Sequence, residues 1–449
     1  MKEIKISTDA NEDKISQPEK PIQLEKYPEI DPEIAWELAN LVRISYADHG
    51  CFNNWFETKK EPQEFTLEAN RRLENIEFNN NWIYAKKEIE SSPLTEYYLL
   101  NEEDLKNENI ASKFPDSDYY KYKILKTYEY TSYYPINYFL NKKIVDIDRF
   151  GFIAERQERK DKFVFVIFRG TLEPAEWFSN AQFKQLNFLT RTVLELKKTE
   201  NKETEDFGKI SLGFNKMYTD FRPGIIIGDN YINKISIKID SVIRQFLWKK
   251  SKFKLKNQSI YQAINDYVSN QNLDRANVYI AGHSLGGALA TIAALDIARQ
   301  LDIAGKNKLK SPIGLYTFAS PRVGDNKFAD KFNEFMSDGK IESFRFANSE
   351  DLVTKIPLPV WFKLGIDLDR RLILKRIRSL FNTLTRGVFE TDYQHIGIPI
   401  YFTHQARRTK NGSELESTAT VGDNHNMTRT YCGALEKNKR KERNKKHGE

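Results

Sequence analysis

Cysteine is scarce in this chain, with only Cys51 and Cys432 among 449 residues. Two cysteines allow one internal disulfide at most, which excludes a disulfide framework and makes buried free thiols the expectation. Long apolar runs are also missing. The longest, FVFVIF at 163–168, has the length of a strand and falls far short of the roughly 18 residues of a membrane span. The opening residues MKEIKISTDANEDKISQPEK are polar and charged, without the apolar centre of a secretory signal. The expectation is a cytoplasmic or peripheral-membrane protein with neither a cleavable signal nor a transmembrane helix. Histidine is rare as well, at six residues. No Cys/His cluster suggests a metal, so no metal and no organic cofactor are expected. No internal repeat is found.

What is present suits a large globular core: 40% of residues are hydrophobic and 13% aromatic. The net charge of +7 is unevenly placed. Residues 360–449 hold 18 Lys+Arg and 10 Asp+Glu, a balance of +8, so the first 359 residues sum to −1. The basic character belongs to the C-terminal fifth and points to an anionic surface there. No folded reading module accompanies it, so nucleic acid is not an expected partner.

Residues 1–30 are polar and proline-spaced and read as a flexible arm. DPEIAWELANLVRISYAD reads as an amphipathic helix with Asp31 as N-cap and Pro32 in its first turn. Residues 50–145 are rich in Asn, Tyr and Glu and give no clear pattern. FGFIAERQERKDKFVFVIFRG predicts a hairpin, and its second run, Phe163 to Phe168, is apolar on both faces as a central strand requires. Residues 195–208 read as a charged loop and 258–270 as a helix. ANVYIAG, IGLYTFAS, SFRFANS and HIGIPIYF predict strands, with a helix from Leu285 to Gln300. Strands alternating with helices predict an α/β fold with a mostly parallel sheet.

One strand runs directly into Gly282-His283-Ser284-Leu285-Gly286 and then into an alanine-rich helix. G-x-S-x-G between an apolar strand and a small-residue helix is the pattern of a nucleophile elbow. The helix start supplies unpaired N–H groups and a positive dipole for a developing oxyanion. A serine hydroxyl needs a general base, and in this arrangement the order is serine, acid, histidine. His395, His404 and His425 all follow Ser284. His425 lies in the polar stretch VGDNHNMTRTY and is favoured by that loop context; for His395 and His404 the alternative is a structural histidine bonding the backbone. Glu350 and Asp351 both follow SFRFANS and are candidates for the acid that orients the imidazole. Gly170 and Thr171, after FVFVIF, stand where a second oxyanion donor is needed.

These blocks, in this order, resemble the class 3 lipase family, the fungal-type triacylglycerol lipases with an α/β-hydrolase fold. The resemblance is carried by AWELANLVRISYAD, FRGT…EW, LGFNKMY, YIAGHSLGGALATIAAL, YTFASPRVGDNKFAD, NSEDLVTKIP, YQHIGIPIYF and DNHNMTRTY, from about residue 35 to 432. It implies Ser284 as nucleophile, Asp351 rather than Glu350 as acid, and His425 as base. It also implies Thr171 and the Leu285 N–H as the oxyanion hole and Trp177 where a lid begins. His395 matches a family histidine that is not the base. The family usually has Gly at the position of Ala319, Asn at Asp325, Pro at Thr354 and His at Ser211; none of these is a catalytic group. Residues 31–436 would form the hydrolase domain, with lid and substrate insertions near 178–209, 222–257 and 360–390, and 437–449 a basic disordered tail. The implied activity is serine-dependent hydrolysis of acylglycerol esters. The alternatives are a phospholipase A1-type acyl hydrolase or a lipid-binding protein that keeps the fold without turnover.

Residues 367–387, DLDRRLILKRIRSLFNTLTRG, place Ile373, Ile377, Leu380, Phe381 and Leu384 on one helical face and Arg371, Lys375, Arg378 and Arg386 on the other. Such a segment either packs on the hydrolase core or docks on an anionic membrane. The C-terminal Lys/Arg run would add attraction to anionic lipid or serve as a solubilising tail.

Overall fold

The computed structural model describes residues 2–4, 29–57, 82–86, 97–100, 105–116, 118–133, 145–170, 185–188, 206–219, 267–268, 273, 275–303, 309–357, 392–403, 409–410, 413–414 and 424–435. Its centre is a ten-stranded sheet. The strands are β1 (Lys2–Ile4), β2 (Trp82–Lys86), β3 (Tyr97–Leu100), β4 (Tyr119–Tyr133), β5 (Val145–Glu158), β6 (Asp161–Phe168), β9 (Ala276–His283), β10 (Ile313–Phe318), β11 (Ile341–Asn348) and β12 (Ile398–Phe402), with a separate pair β7 (Gln185–Asn187) and β8 (Lys209–Ser211). Their spatial order is β1-β3-β2-β4-β5-β6-β9-β10-β11-β12.

From β6 to β12 every neighbour is parallel. This is the parallel sheet that the strand–helix alternation predicts, and it is the core of an α/β-hydrolase fold. From β1 to β6 every neighbour is antiparallel. The Tyr-rich stretch that showed no clear pattern therefore extends the sheet by pairing along one edge. Lys2–Ile4, within the arm expected to be flexible, pair with β3; residues 5–28 lie outside the described residues, as do the expected tail and most of the three expected insertions.

The β6 side chains explain why that strand is apolar on both faces. Val164, Val166 and Phe168 enter one core and Phe165 and Ile167 the other, as the two-residue period of a strand requires. After the single turn α2 (Glu108–Ala111), helices α3 (Leu212–Thr219), α4 (Leu285–Ile303) and α5 (Asn326–Ser337) close the first core, where their apolar faces pack. The second is closed by α1 (Pro32–Glu57) and the C-terminal turn Met427–Cys432. Asp31 caps α1 as predicted: its Oδ1 accepts from Glu33 N–H at 2.8 Å and Ile34 N–H at 3.3 Å. In the second turn of α1, buried Glu37 accepts from Arg156 Nε (2.9 Å) and Nη2 (3.0 Å) and from Tyr122 Oη (2.7 Å), tying helix to sheet. Cys432 is buried, with its Sγ 3.6 Å from the Ala39 carbonyl oxygen.

Candidate active site

Ser284 is the single residue between β9 and α4. Its φ is +58°, in the left-handed region that side chains other than glycine rarely adopt. The flanking glycines explain how so abrupt a turn is accommodated. A Cβ on Gly282 would lie 2.1 Å from the Gly286 carbonyl oxygen, and one on Gly286 would lie 2.4 Å from the Arg169 carbonyl oxygen. Strand, turn and helix therefore approach at a distance only glycine permits. Ser284 N–H donates to Phe318 O at 2.9 Å, and Gly287 N–H to Ser284 O at 2.9 Å. Leu285 opens α4, so its N–H has no acceptor within the helix.

Asp351 follows β11 and is fully buried. Its Oδ1 accepts from Val353 N–H at 2.9 Å. Its Oδ2 accepts from His425 Nδ1 at 2.8 Å and from Tyr431 Oη at 2.7 Å. A carboxylate here only accepts, so the proton on the His425 ring sits on Nδ1. The opposite nitrogen, Nε2, is buried and finds no hydrogen-bond partner among the described residues. It presents a bare lone pair, as a general base must. The stretch carrying His425 is held by Asn348, whose Nδ2 donates to Asn424 O at 3.1 Å.

His425 is joined to the elbow through His283, the residue before the serine. His283 Nε2 lies 2.8 Å from the His425 main-chain oxygen, and the two ring centroids are 4.6 Å apart. Burial, and then the neighbouring His425, push the His283 pKa well below the ordinary histidine value, so this ring stays neutral. Tyr46, from α1, completes the contact, with its Oη 2.6 Å from His283 Nδ1 and accepting from Gly170 N–H at 2.9 Å.

The structure thus brings Ser284, Leu285, Asp351 and His425 to the C-terminal ends of the parallel strands. Thr171, Trp177 and His404 lie outside the described residues. Glu350 is exposed, and Asp351 is the carboxylate in contact with the His425 ring. His395 bonds the Thr354 backbone, and burial followed by Arg345 and Arg322 brings its pKa down to about 2. It is the structural histidine of the alternative reading. Sequence reasoning missed Tyr46, His283 and Tyr431 as parts of the site. Tyr431 was visible only as the end of a motif; Tyr46 meets His283 across 237 positions of sequence, and no local signal marks such a contact.

Three of the four departures from the family pattern have physical accounts. Ala319 adopts φ +55°, a conformation glycine would take without strain. Asp325 caps α5 by accepting from Phe328 N–H at 2.8 Å, which an asparagine oxygen would also do. Thr354 Oγ1 donates to Asp351 O at 2.9 Å, holding the turn that carries the acid. Ser211 is buried at the end of β8.

Fold and site together define a class: an α/β-hydrolase fold with a strained serine, a buried acid–histidine pair and helix-start N–H groups at the ends of its parallel strands. Residues 165–361 match the family model Lipase (class 3), so the class 3 lipase resemblance is shown over the span that holds the elbow and the acid. Phospholipase A1-Igamma3, chloroplastic, of Arabidopsis thaliana is 25% identical over 213 residues, 45% of this chain and 36% of that protein. Phospholipase A1-II 1 of Oryza sativa subsp. indica is 37% identical over 113 residues, 24% of this chain and 25% of that protein. The chain thus spans well under half the length of these curated relatives. Among solved structures, M37 lipase is 17% identical, covering 84% of this chain and 86% of its own, with a TM-score of 0.39.

Proposed function

We propose that the protein is a serine-dependent lipase that hydrolyses carboxylic ester bonds of acylglycerols through an acyl-enzyme. The observation that carries this reading is the pairing of a left-handed Ser284 with a His425 whose Nδ1 is committed to Asp351 at 2.8 Å and whose Nε2 is bare. His425 Nε2 takes the proton from Ser284 Oγ as that oxygen attacks the ester carbonyl. The N–H groups of Leu285 and Thr171 receive the oxyanion. His425 then protonates the departing alcohol, and water, activated by the same nitrogen, releases the acid. The Nε2–Oγ hydrogen bond is not made in this structure; such bonds commonly tighten only once substrate is bound. None of these steps calls on a metal or an organic cofactor.

The plant relatives favour a second reading on a related substrate, because phospholipase A1 stands in their names. The chemistry at Ser284 is the same and the head group differs. Contact of residues 360–390 and 437–449 with anionic membrane belongs to either reading; both segments lie outside the described residues. No helix among the described residues is long and apolar enough to cross a membrane.

The test is hydrolysis of emulsified triacylglycerol and of phosphatidylglycerol vesicles by the parent protein and by Ser284→Ala. Release of fatty acid from triacylglycerol, abolished by the substitution, supports the lipase. Release confined to the sn-1 position of the phospholipid supports the second reading. Vesicle binding with no release from either substrate would leave only the lipid-binding alternative.

A further inference from the structure

Three hydrogen bonds in series cross the site outside the Ser284–His425–Asp351 set. Gly170 N–H donates to Tyr46 Oη at 2.9 Å, Tyr46 Oη meets His283 Nδ1 at 2.6 Å, and His283 Nε2 meets the His425 carbonyl oxygen at 2.8 Å. The proton positions follow from the two ends. A carbonyl oxygen only accepts, so His283 Nε2 carries a proton. The ring is neutral, because burial and the adjacent His425 hold its pKa well below the usual histidine range. His283 Nδ1 is therefore bare and accepts from the Tyr46 hydroxyl. Burial likewise raises the Tyr46 phenol, against the pull of Arg169, so that proton is present to give. At the other end a backbone N–H only donates, and Tyr46 oxygen receives it. Each link fixes the next, and reversing one would set two donors or two acceptors face to face.

The ends of this series are functional positions. Gly170 directly precedes the expected oxyanion residue Thr171. His283 directly precedes Ser284. The last acceptor is the main chain of His425 itself. We propose that Tyr46 is a positioning residue that, acting through His283, holds the oxyanion strand end, the nucleophile elbow and the general base in one register. The inference rests on the ester-hydrolase reading above. It reaches into α1, outside the span 165–361 matched by the family model. A second consequence follows from the 4.6 Å separation of the His283 and His425 rings. The Tyr46 hydroxyl keeps His283 as the neutral Nε2–H tautomer, so no second cation stands beside the imidazolium that forms on His425. The other groups around His283 agree with that role: Tyr431 is a neutral phenol with its ring 5.6 Å away, and the Asp351 carboxylate is bound to His425 and Tyr431.

The test is Tyr46→Phe, which keeps the ring that meets His283 edge-on at 5.8 Å and removes only the hydroxyl. On a soluble short-chain p-nitrophenyl ester, kcat should fall about 10–100-fold with KM within about twofold, since the loss is one of transition-state alignment and not of substrate binding. A variant with kcat within about twofold of the parent would overturn the proposal. Two readouts on the parent fold do not depend on turnover. In ¹⁵N-histidine spectra, His283 of the parent should show a protonated Nε2 and a bare Nδ1 from pH 5 to 8; an Nδ1–H tautomer or a charged ring at pH 7 would overturn the series. The Gly170 amide should exchange at least about tenfold faster in Tyr46→Phe than in the parent, and equal exchange would count against the link. Should the parent hydrolyse no ester, the lipase reading fails while tautomer and exchange still judge the hydrogen-bond series. Should Tyr46→Phe not fold, the parent's tautomer decides.

Discussion

Each residue of the site has a separable physical task. His425 has its proton placed by Asp351, so His425→Ala should remove the base and leave the fold intact. A drop of about 10⁴–10⁶ in kcat, with an unchanged melting curve, is the expected outcome of steady-state kinetics and calorimetry. Tyr431 shares the Asp351 Oδ2 with His425. Tyr431→Phe should therefore loosen the acid without removing it, lowering kcat by about 3–30-fold, the range of one charge-assisted hydrogen bond partly replaced by water. Activity equal to the parent would show that Val353 N–H and His425 alone fix the carboxylate. Ser284 and His425 stood out in the sequence because the proposed chemistry demands fixed residue types in fixed order, whereas Glu350 and Asp351 were separated only by the family resemblance. The supports of these residues were not legible. Tyr46 and Tyr431 are ordinary tyrosines whose partners are chosen by the fold, and His283 reads as a neighbour of the serine until the loop from 424 reaches it.

At the scale of elements, the elbow and the two cores decide what each segment tolerates. Gly286→Ala would press a methyl group to 2.4 Å from the Arg169 carbonyl. The expected result is loss of activity together with a melting temperature several degrees lower, because backbone on both sides must move. Helix α4 carries a buried acid, Asp296. Its Oδ2 accepts from Tyr218 Oη at 2.9 Å and Gln300 Nε2 at 3.0 Å, while Oδ1 finds no partner among the described residues. Burial pushes its pKa up to about 6, against the pull of the Tyr218 bond. The folded chain therefore holds this proton more tightly than the unfolded one. The stabilising contribution is full below about pH 4 and is lost as pH rises through about 6. Asp296→Asn should raise stability at pH 7 by about 1–3 kcal/mol, with the gain vanishing near pH 4, as read from denaturant midpoints. A destabilised variant at pH 7 would contradict this. The parallel strands and helices α1 and α4 were legible from apolar runs and from Asp31 and Gly286, since they are set by local pattern; helices α3 and α5 were not read from the sequence. The antiparallel strands β2 to β4 were not legible either, because alternating Tyr and Lys mark a strand only once its partner is known.

The whole molecule joins a parallel α/β core to an antiparallel extension across the pair β5 and β6. Helix α1 spans that junction: its Glu37 is held by Arg156 from β5 and Tyr122 from β4, and Arg156 also bonds Glu158. Burial raises the Glu37 pKa and Arg156 opposes that rise. Arg156→Met would leave the carboxyl group without its cation, and a loss of about 3–5 kcal/mol is expected in chemical denaturation. Because α1 also carries Tyr46, damage at this distant pair should reach the site as lost activity before global unfolding. Charge is the other feature at this scale. With its excess of basic residues in the C-terminal fifth, the chain should bind phosphatidylglycerol vesicles more tightly than phosphatidylcholine vesicles, with binding that weakens steeply between about 50 and 500 mM salt. Equal, salt-insensitive binding to both would remove electrostatics from membrane contact.

Hydrolysis through an acyl-enzyme requires Ser284 to form a covalent intermediate, and a suicide label can trap it. The parent protein and His425→Ala would be treated with an alkyl fluorophosphonate and mapped by peptide mass spectrometry. One phosphonyl group on the peptide containing Ser284 in the parent, and labelling slowed by orders of magnitude without His425, is the expected result. An unlabelled Ser284 in the folded parent, or labelling indifferent to His425, would contradict the assignment of nucleophile and base.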